Sequence, residues 1–177
     1  MFNAAAQAGA TMSFMSTQPS ARRSAAEQIK FEAAIRRLTE EQIAFNQVLG
    51  MRLHEHSGPN GTVCRFEMRP NLVGHYVHGR LHGGVTSAVL DATAGIALMV
   101  AIGEKFAHES ADQVMHRFVK MGTIDLRVDY LRPGLGQYFN AQAIVTRLGG
   151  RIGSTQMRLV NDQGTLIATG AGAYVIA

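Results

Sequence analysis

Apolar positions along the chain fall into helical and alternating spacings, and their order predicts the architecture. Ser24 with Glu27 three residues on has the form of a capping box, and Ile29, Ala33, Ile35 and Leu38 make an apolar stripe at helical spacing. Thr39 is placed to cap a second short helix through Gln42, Ile43, Phe45 and Val48, which stops at Gly50. Met51–His56 and Thr62–Met68 alternate apolar and polar residues around the turn cluster Ser57-Gly58-Pro59-Asn60-Gly61, so they predict a hairpin. Residues 69–84, with Pro70, Gly74, Gly79 and three histidines, predict an irregular loop. Val85–Ile102 is the longest apolar run, apolar on nearly every side, and predicts a helix buried all round. Its length approaches that of a membrane span. Thr86, Ser87, Asp91, Thr93 and Gly95 interrupt it, however, and strand-like segments enclose it, which favours a core helix and no membrane insertion.

Residues 103–120 predict a charged connector with a helix from about Glu109 to Lys120. Strand patterns follow at Gly122–Arg132, Tyr138–Leu148 and Ile152–Val160, and at Gly164–Val175 after the turn Asn161-Asp162-Gln163-Gly164. A meander of these four strands is expected. The sum is an α+β class domain: an antiparallel sheet of five to six strands wrapped around a long central helix, with N-terminal helices. Residues 24–177 form that domain, and residues 1–23, without hydrophobic periodicity, are expected to be a flexible N-terminal extension. Met12 and Met15 are alternative starts within it, and its two arginines without acids also suit a transit peptide.

Composition narrows the partners. Of 177 residues, 46% are hydrophobic and 17% charged, which excludes a disordered chain. The single cysteine, Cys64, excludes an internal disulfide and any multi-cysteine metal site, and suits a reducing, cytoplasmic location. The net charge is +4, and basic residues outnumber acids between Arg117 and Arg158. Such a surface suits phosphate-bearing partners. No aromatic–basic pattern of the RNA-binding kinds is present, so a nucleotide-tailed small molecule fits better than nucleic acid.

Asp91 is the only charged residue between Gly84 and Glu104. A lone buried carboxylate is costly unless it is paired or faces a polar cavity. Its helical neighbours Ser87, Ala88, Ala94 and Gly95 are all small and leave space beside it. A structural aspartate bonded to loop amides is the plain alternative. Gly83 and Gly84 open the same helix, so their N–H groups lack helical partners and sit at the positive end of the dipole. That suits an oxyanion site, although a bare helix entry has the same sequence. The two features are eight residues apart, about 12 Å along a helix. One carbonyl cannot touch both in one chain. Two antiparallel copies of the helix would bring Asp91 of one to Gly83 of the other, which predicts composite sites in a symmetric dimer.

The segment His82-Gly83-Gly84-Val85, with Leu90-Asp91 and Gly95 beyond it, resembles the PaaI-like thioesterases of the hotdog fold. Leu38–Met51 and the run Met121-Gly122-Thr123-Ile124-Asp125-Leu126-Arg127-Val128-Asp129-Tyr130-Leu131-Arg132-Pro133-Gly134 look like the bacterial YigI-type acyl-CoA thioesterases. The resemblance covers about residues 25–177. It implies hydrolysis of medium- or long-chain acyl-CoA without cofactor or metal, in a dimer or a dimer of dimers. Asp91 corresponds to the catalytic carboxylate, as general base or nucleophile, and Gly83 to the residue whose N–H polarises the thioester carbonyl. His82 shapes the turn, and Thr123 matches a hydroxyl residue that positions water. One position departs: His75 stands where the family usually carries asparagine. Imidazole still donates a hydrogen bond, and its charge near pH 6–7 adds a pH dependence. Gly84 and Ser87 are expected beside the substrate. Arg132, Arg147 and Arg151 are candidates for the coenzyme A phosphates, or else solvated strand-end arginines.

Two further readings share these residues. A non-catalytic acyl-CoA sensor would need the pocket without Asp91, and a hotdog dehydratase or hydratase would need a different histidine–acid loop. His75, His78 and His82 at i, i+3 and i+7 suggest zinc with Asp91, but Gly74, Gly79 and Gly83-Gly84 interrupt the helix that would converge them. Cys64, between Val63 and Arg65 with no base motif, reads as a packing residue.

Overall fold

A computed structural model describes residues 22–57 and 61–176. Helices α1 (Ala25–Arg37) and α2 (Ala44–Leu49) lead into β1 (Arg52–Glu55) and β2 (Thr62–Glu67). A small hairpin, β3 (Val73–His75) and β4 (Arg80–Leu81), precedes the central helix α3 (Gly83–Lys105). Then come α4 (Ala111–Arg117), β5 (Gly122–Tyr130), β6 (Tyr138–Leu148), β7 (Ile152–Asn161) and β8 (Leu166–Val175). The six long strands form one antiparallel sheet in the order β1-β2-β6-β7-β8-β5, and α3 lies against it. This is the expected α+β, hotdog architecture.

Strand order corrects the expected meander. Of the four later strands, β6, β7 and β8 are consecutive neighbours, whereas β5 pairs with β8 at the far edge. The reason lies in residues 131–137, which are too long and too tied down for a tight β5–β6 hairpin. Leu131 and Arg132 N–H both bond Ile167 O, and Gly134 O accepts from Leu81 N at 2.9 Å, so the chain crosses past β8 before turning into β6.

Helix starts follow capping chemistry, with two corrections. Ser24 Oγ accepts from Glu27 N at 3.3 Å, but Glu27 does not complete the box. Its carboxylate instead accepts from Ala111 N at 2.6 Å and joins α1 to α4. The buried face of α1 is Phe31 and Ile35, whereas Ile29 is 67% exposed. Thr39 does not cap: its hydroxyl donates to Ile35 O at 2.8 Å, and the chain continues through a π turn, Leu38–Gln42. α2 ends at Gly50 (φ 69°) as expected, but Phe45 and Val48 point outward while Asn46 and Leu49 are buried. The β1–β2 hairpin forms; Gly58, Pro59 and Asn60 of its turn lie outside the described residues.

The core sits between α3 and the sheet. Leu90 and Leu98 are fully buried against strand residues such as Leu159, and Phe66 and Phe139 stack at 5.3 Å. α3 is long and apolar enough to cross a membrane by length and composition, yet it is the core helix of this fold. It is not buried all round. Ala88, Asp91, Ala92, Gly95 and Met99 leave one side of it half-open. Arg22 and Arg23, at the end of the expected extension, are held to the other end of α3. Arg22 pairs with Glu104 at 2.7 Å, and Arg23 donates to Gly103 O and Phe106 O, where cations complement the dipole.

Candidate active site

The first turn of α3 has four N–H groups without helical partners. His82 is the N-cap, and its Nδ1 accepts from Gly84 N at 2.8 Å. That assigns the ring hydrogen to Nε2. Val85 N and Thr86 N both donate to His82 O, at 3.0 and 3.1 Å. Only Gly83 N–H lacks an acceptor among the described residues. The expectation of two free glycine amides is thereby corrected to one: the imidazole that closes the turn occupies Gly84.

Tyr130 and Ser87 brace this turn. Tyr130 OH donates to Gly83 O at 3.0 Å and lies 2.6 Å from Ser87 Oγ, which itself bonds Gly83 O at 3.1 Å. Ser87 is therefore tied into the helix entry. Tyr130 was not singled out as a site residue from sequence, although it lies in the long Met121–Gly134 match. Its distance from Gly83 in the chain left no local signal of the contact.

Asp91 lies two turns further along α3. Its Oδ1 accepts from Thr123 Oγ1 at 2.9 Å and from Tyr174 OH at 3.0 Å, while Oδ2 has no partner among the described residues. Thr123 and Tyr174 are cross-strand partners on β5 and β8, so the sheet register presents both hydroxyls to one oxygen. Tyr174 is 2% exposed; burial first, and the Asp91 carboxylate second, push its phenol well above the usual tyrosine range. It remains a donor at any working pH. Nothing in the sequence pointed to Tyr174, since its role depends on a pairing between strands far apart in the chain. The Thr123 proton is spent on Asp91, which leaves the hydroxyl oxygen able to accept from a water.

Asp91 opens into a cleft of about 160 Å³ between α2, α3 and the start of β5. A larger concavity of about 670 Å³ lies elsewhere, among Arg127, Gln142, Gln156, Arg158 and Thr169. Neither Asp91 nor the Gly83 turn lines it.

The structure does not bring every expected residue together. Asp91 and Gly83 sit at separate points on one helix. His75 is exposed on β3, with its ring 4.7 Å from that of His78, and bonds neither Asp91 nor Thr123. It flanks the Gly83 turn, because Gly74 packs so closely on His82 that a Cβ there would fall 2.6 Å from His82 Cα. No group of three metal-ligating side chains occurs among the described residues. Arg132 donates to Leu166 O at 3.0 Å beside the Tyr130 end of β5. Arg147 and Arg151 are exposed near the turn that joins β6 to β7, at the sheet end where Gly153 pairs with Tyr174. One chain therefore cannot gather all three arginines on one phosphate group. Cys64 is fully buried, and burial pushes its thiol up to about 12, as suits a packing residue.

A six-stranded hotdog sheet, a capped glycine turn and a hydroxyl-held carboxylate on one core helix define the class. Residues 78–168 match the family model described as the thioesterase superfamily, and the chain belongs to that superfamily. It is 35% identical over 132 residues to the medium/long-chain acyl-CoA thioesterase YigI of Escherichia coli, covering 75% of this chain and 84% of that protein. Among solved structures, a thioesterase-superfamily protein of Shewanella oneidensis superposes with a TM-score of 0.79 at 32% identity, over 88% of this chain and all of that one. The PaaI protein of Escherichia coli shares the fold, with a TM-score of 0.63 at 18% identity over 86% of this chain and 94% of that one.

Proposed function

We propose that this protein hydrolyses acyl-CoA thioesters of medium to long chain, with Asp91 as general base. The carrying observation is the Asp91 carboxylate: one oxygen is pinned by two hydroxyls and the other is free beside an apolar cleft. The pinned oxygen fixes the carboxylate plane, and Oδ2 takes a proton from water. Water oxygen then bonds to the thioester carbon, whose carbonyl oxygen becomes negative at Gly83 N–H and the positive end of α3. Collapse breaks the C–S bond. The thiolate leaves as coenzyme A and takes up the proton, releasing the free acid. No cofactor enters this scheme.

The site is composite in this reading. Gly83 of a second copy meets Asp91 of the first, which brings the flanking His75 and Arg132 of that copy toward the same substrate. β5 supports the arrangement, since among the described residues it is a nine-residue edge strand with Ile124 and Tyr130 more than half exposed. An uncovered edge of that length is a template for pairing. Antiparallel β5–β5 pairing gives a dimer, and a dimer of dimers is compatible with it. Arg147 and Arg151 on one copy and Arg132 on the other are the groups proposed to meet the coenzyme A phosphates. The same reading takes residues 24–177 as the catalytic domain and residues 1–23 as an extension that joins it at Arg22 and Arg23, with the reaction in the cytoplasm.

Asp91→Asn tests the assignment. The variant keeps the hydroxyl contacts and the fold but cannot take the proton, so turnover of acyl-CoA should fall at least a hundredfold, in line with the ~10²–10⁴ typical of general bases. An unchanged kcat with normal folding would remove Asp91 from the chemistry.

A further inference from the structure

The cleft beside Asp91 has a direction. It starts at the carboxylate, follows α3 past Ala92 and Gly95 to Met99, and is covered by Ile43 just ahead of α2 and Met121 ahead of β5. Among the described residues, Asp91 is the one charged side chain that lines it. Gly95 stands one helical turn below the carboxylate, and a Cβ built there meets none of the described residues within 4 Å. Glycine in the interior of a helix weakens it relative to alanine. At Gly95 neither the left-handed region nor a close backbone approach calls for glycine, in contrast to Gly103, where Phe31 fills the corresponding space. What glycine leaves at position 95 is an open apolar groove along the helix, continuous with the reacting group.

We propose that this groove takes the acyl chain, with Gly95 as its floor and Met99 and Met121 as the gauge of its length. The inference rests on the thioesterase reading above and adds the part of the chain that selects the substrate. Asp91 and Met99 are eight residues apart, about 12 Å along the helix. A methylene advances an extended chain by about 1.3 Å, given carbon–carbon bonds of about 1.5 Å. The groove thus spans about nine carbons. Its present 160 Å³ holds five or six methylenes, at about the 30 Å³ of a water each. The difference is made up by Met99 and Met121, both half-buried, whose unbranched thioethers swing aside readily. Shorter chains fit without displacing either methionine, and chains of eight to ten carbons fill the groove. α2 forms the outer wall, with Asn46 and Leu49 buried on its inner side and Phe45 and Val48 exposed on its outer face.

Two substitutions test this on the full-length protein. Gly95→Leu fills the floor, and Met99→Ile replaces a flexible end wall by a stiff β-branched one. Thiol release is measured for straight-chain acyl-CoAs from butanoyl to hexadecanoyl, and binding of the matching S-alkyl-CoA thioethers, which cannot be hydrolysed, is measured by calorimetry. The ratio of kcat/KM for decanoyl-CoA to that for hexanoyl-CoA should fall at least tenfold in Gly95→Leu and at least threefold in Met99→Ile. The thioether affinities should show the same selective loss for the long chain. Turnover whose length profile is unmoved by either substitution overturns the groove assignment and leaves the thioesterase reading standing. Absence of turnover in the wild type, with a length-dependent affinity that Gly95→Leu abolishes, overturns the thioesterase reading and leaves the groove. If Gly95→Leu does not fold, Gly95→Ala with Met99→Ile takes its place, since the added methyl group meets open space. A profile flat in that pair too counts against the proposal.

Discussion

Gly83→Pro removes one hydrogen from the proposed oxyanion site and nearly nothing else. Gly83 is the first residue of α3, and proline is well accommodated at that position because the N–H there has no helical partner. His82, which precedes it, has φ −67° and ψ 135°, the extended conformation that a residue before proline prefers. The nearest atom to a Cβ at position 83 is Tyr130 Cε1 at 3.4 Å, an ordinary contact. The His82 Nδ1 bond to Gly84 N is untouched. Folding stability should therefore change by less than about 1 kcal/mol, the usual range for proline at a compatible site. Loss of one oxyanion donor costs about 2.7–4 kcal/mol of transition-state stabilisation, or ~10²–10³ in kcat. Thiol release under saturating acyl-CoA measures the rate, and thermal melting followed by circular dichroism checks the fold. If kcat stays within threefold of wild type while the melting temperature is unchanged, Gly83 N–H is not the oxyanion donor and the first turn of α3 is only a helix entry.

Tyr174→Phe should lower kcat about tenfold to a hundredfold, because a hydrogen bond to a charged group is worth about 1.5–3 kcal/mol. The same variant gives a stability signature: the folded phenol is raised above the unfolded value of about 10, so its contribution is whole below pH 10 and is lost as pH rises beyond it. Wild-type stability should then fall by up to about 1.4 kcal/mol per pH unit more steeply than that of Tyr174→Phe between pH 10 and 11, as read by urea unfolding. Equal slopes would contradict the burial of that hydroxyl. Gly103→Ala sets two effects against each other, a gain of about 1 kcal/mol in helix propensity and about 1–3 kcal/mol of overpacking. The added carbon falls 2.6 Å from Phe31 Cε1, in a ring packed between Arg23 and Phe118. Overpacking should prevail, lowering the melting temperature; a rise would show that Phe31 moves freely.

Much of the fold was legible because periodicity and turn chemistry are local. The α3 run, the β1–β2 hairpin and the four later strands were placed by spacing and turn residues, and Gly50 ends α2 with φ 69° while Gly164 takes φ 76° in the turn between β7 and β8. What was not legible is long-range. Nothing near β5 says that it pairs with β8 rather than β6, and that pairing is what delivers Thr123 and Tyr174 to the same carboxylate oxygen. The small residues around Asp91 did announce a cleft, yet the stripe read on α1 chose the exposed Ile29 over the buried Phe31, since both satisfy helical spacing. The glycine pair promised two free amides, and the tautomer-fixing bond from His82 left one. Gly83 and Asp91 lie apart on α3, as helical rise requires, and each has its own hydrogen-bond partners: Tyr130 and Ser87 at the turn, Thr123 and Tyr174 at the acid.

Mixed dimers test most directly whether Asp91 and Gly83 of different copies share one site. Asp91→Asn and Gly83→Pro chains, each nearly inactive alone, are co-expressed with different tags and assayed for acyl-CoA hydrolysis. If Asp91 of one copy works with Gly83 of the other, every mixed dimer holds one site with both groups intact and one with neither. Random pairing makes half the dimers mixed, so about a quarter of wild-type activity should return. Activity no higher than the average of the two parents, in dimers shown by both tags to be mixed, would mean that each site is built within a single chain.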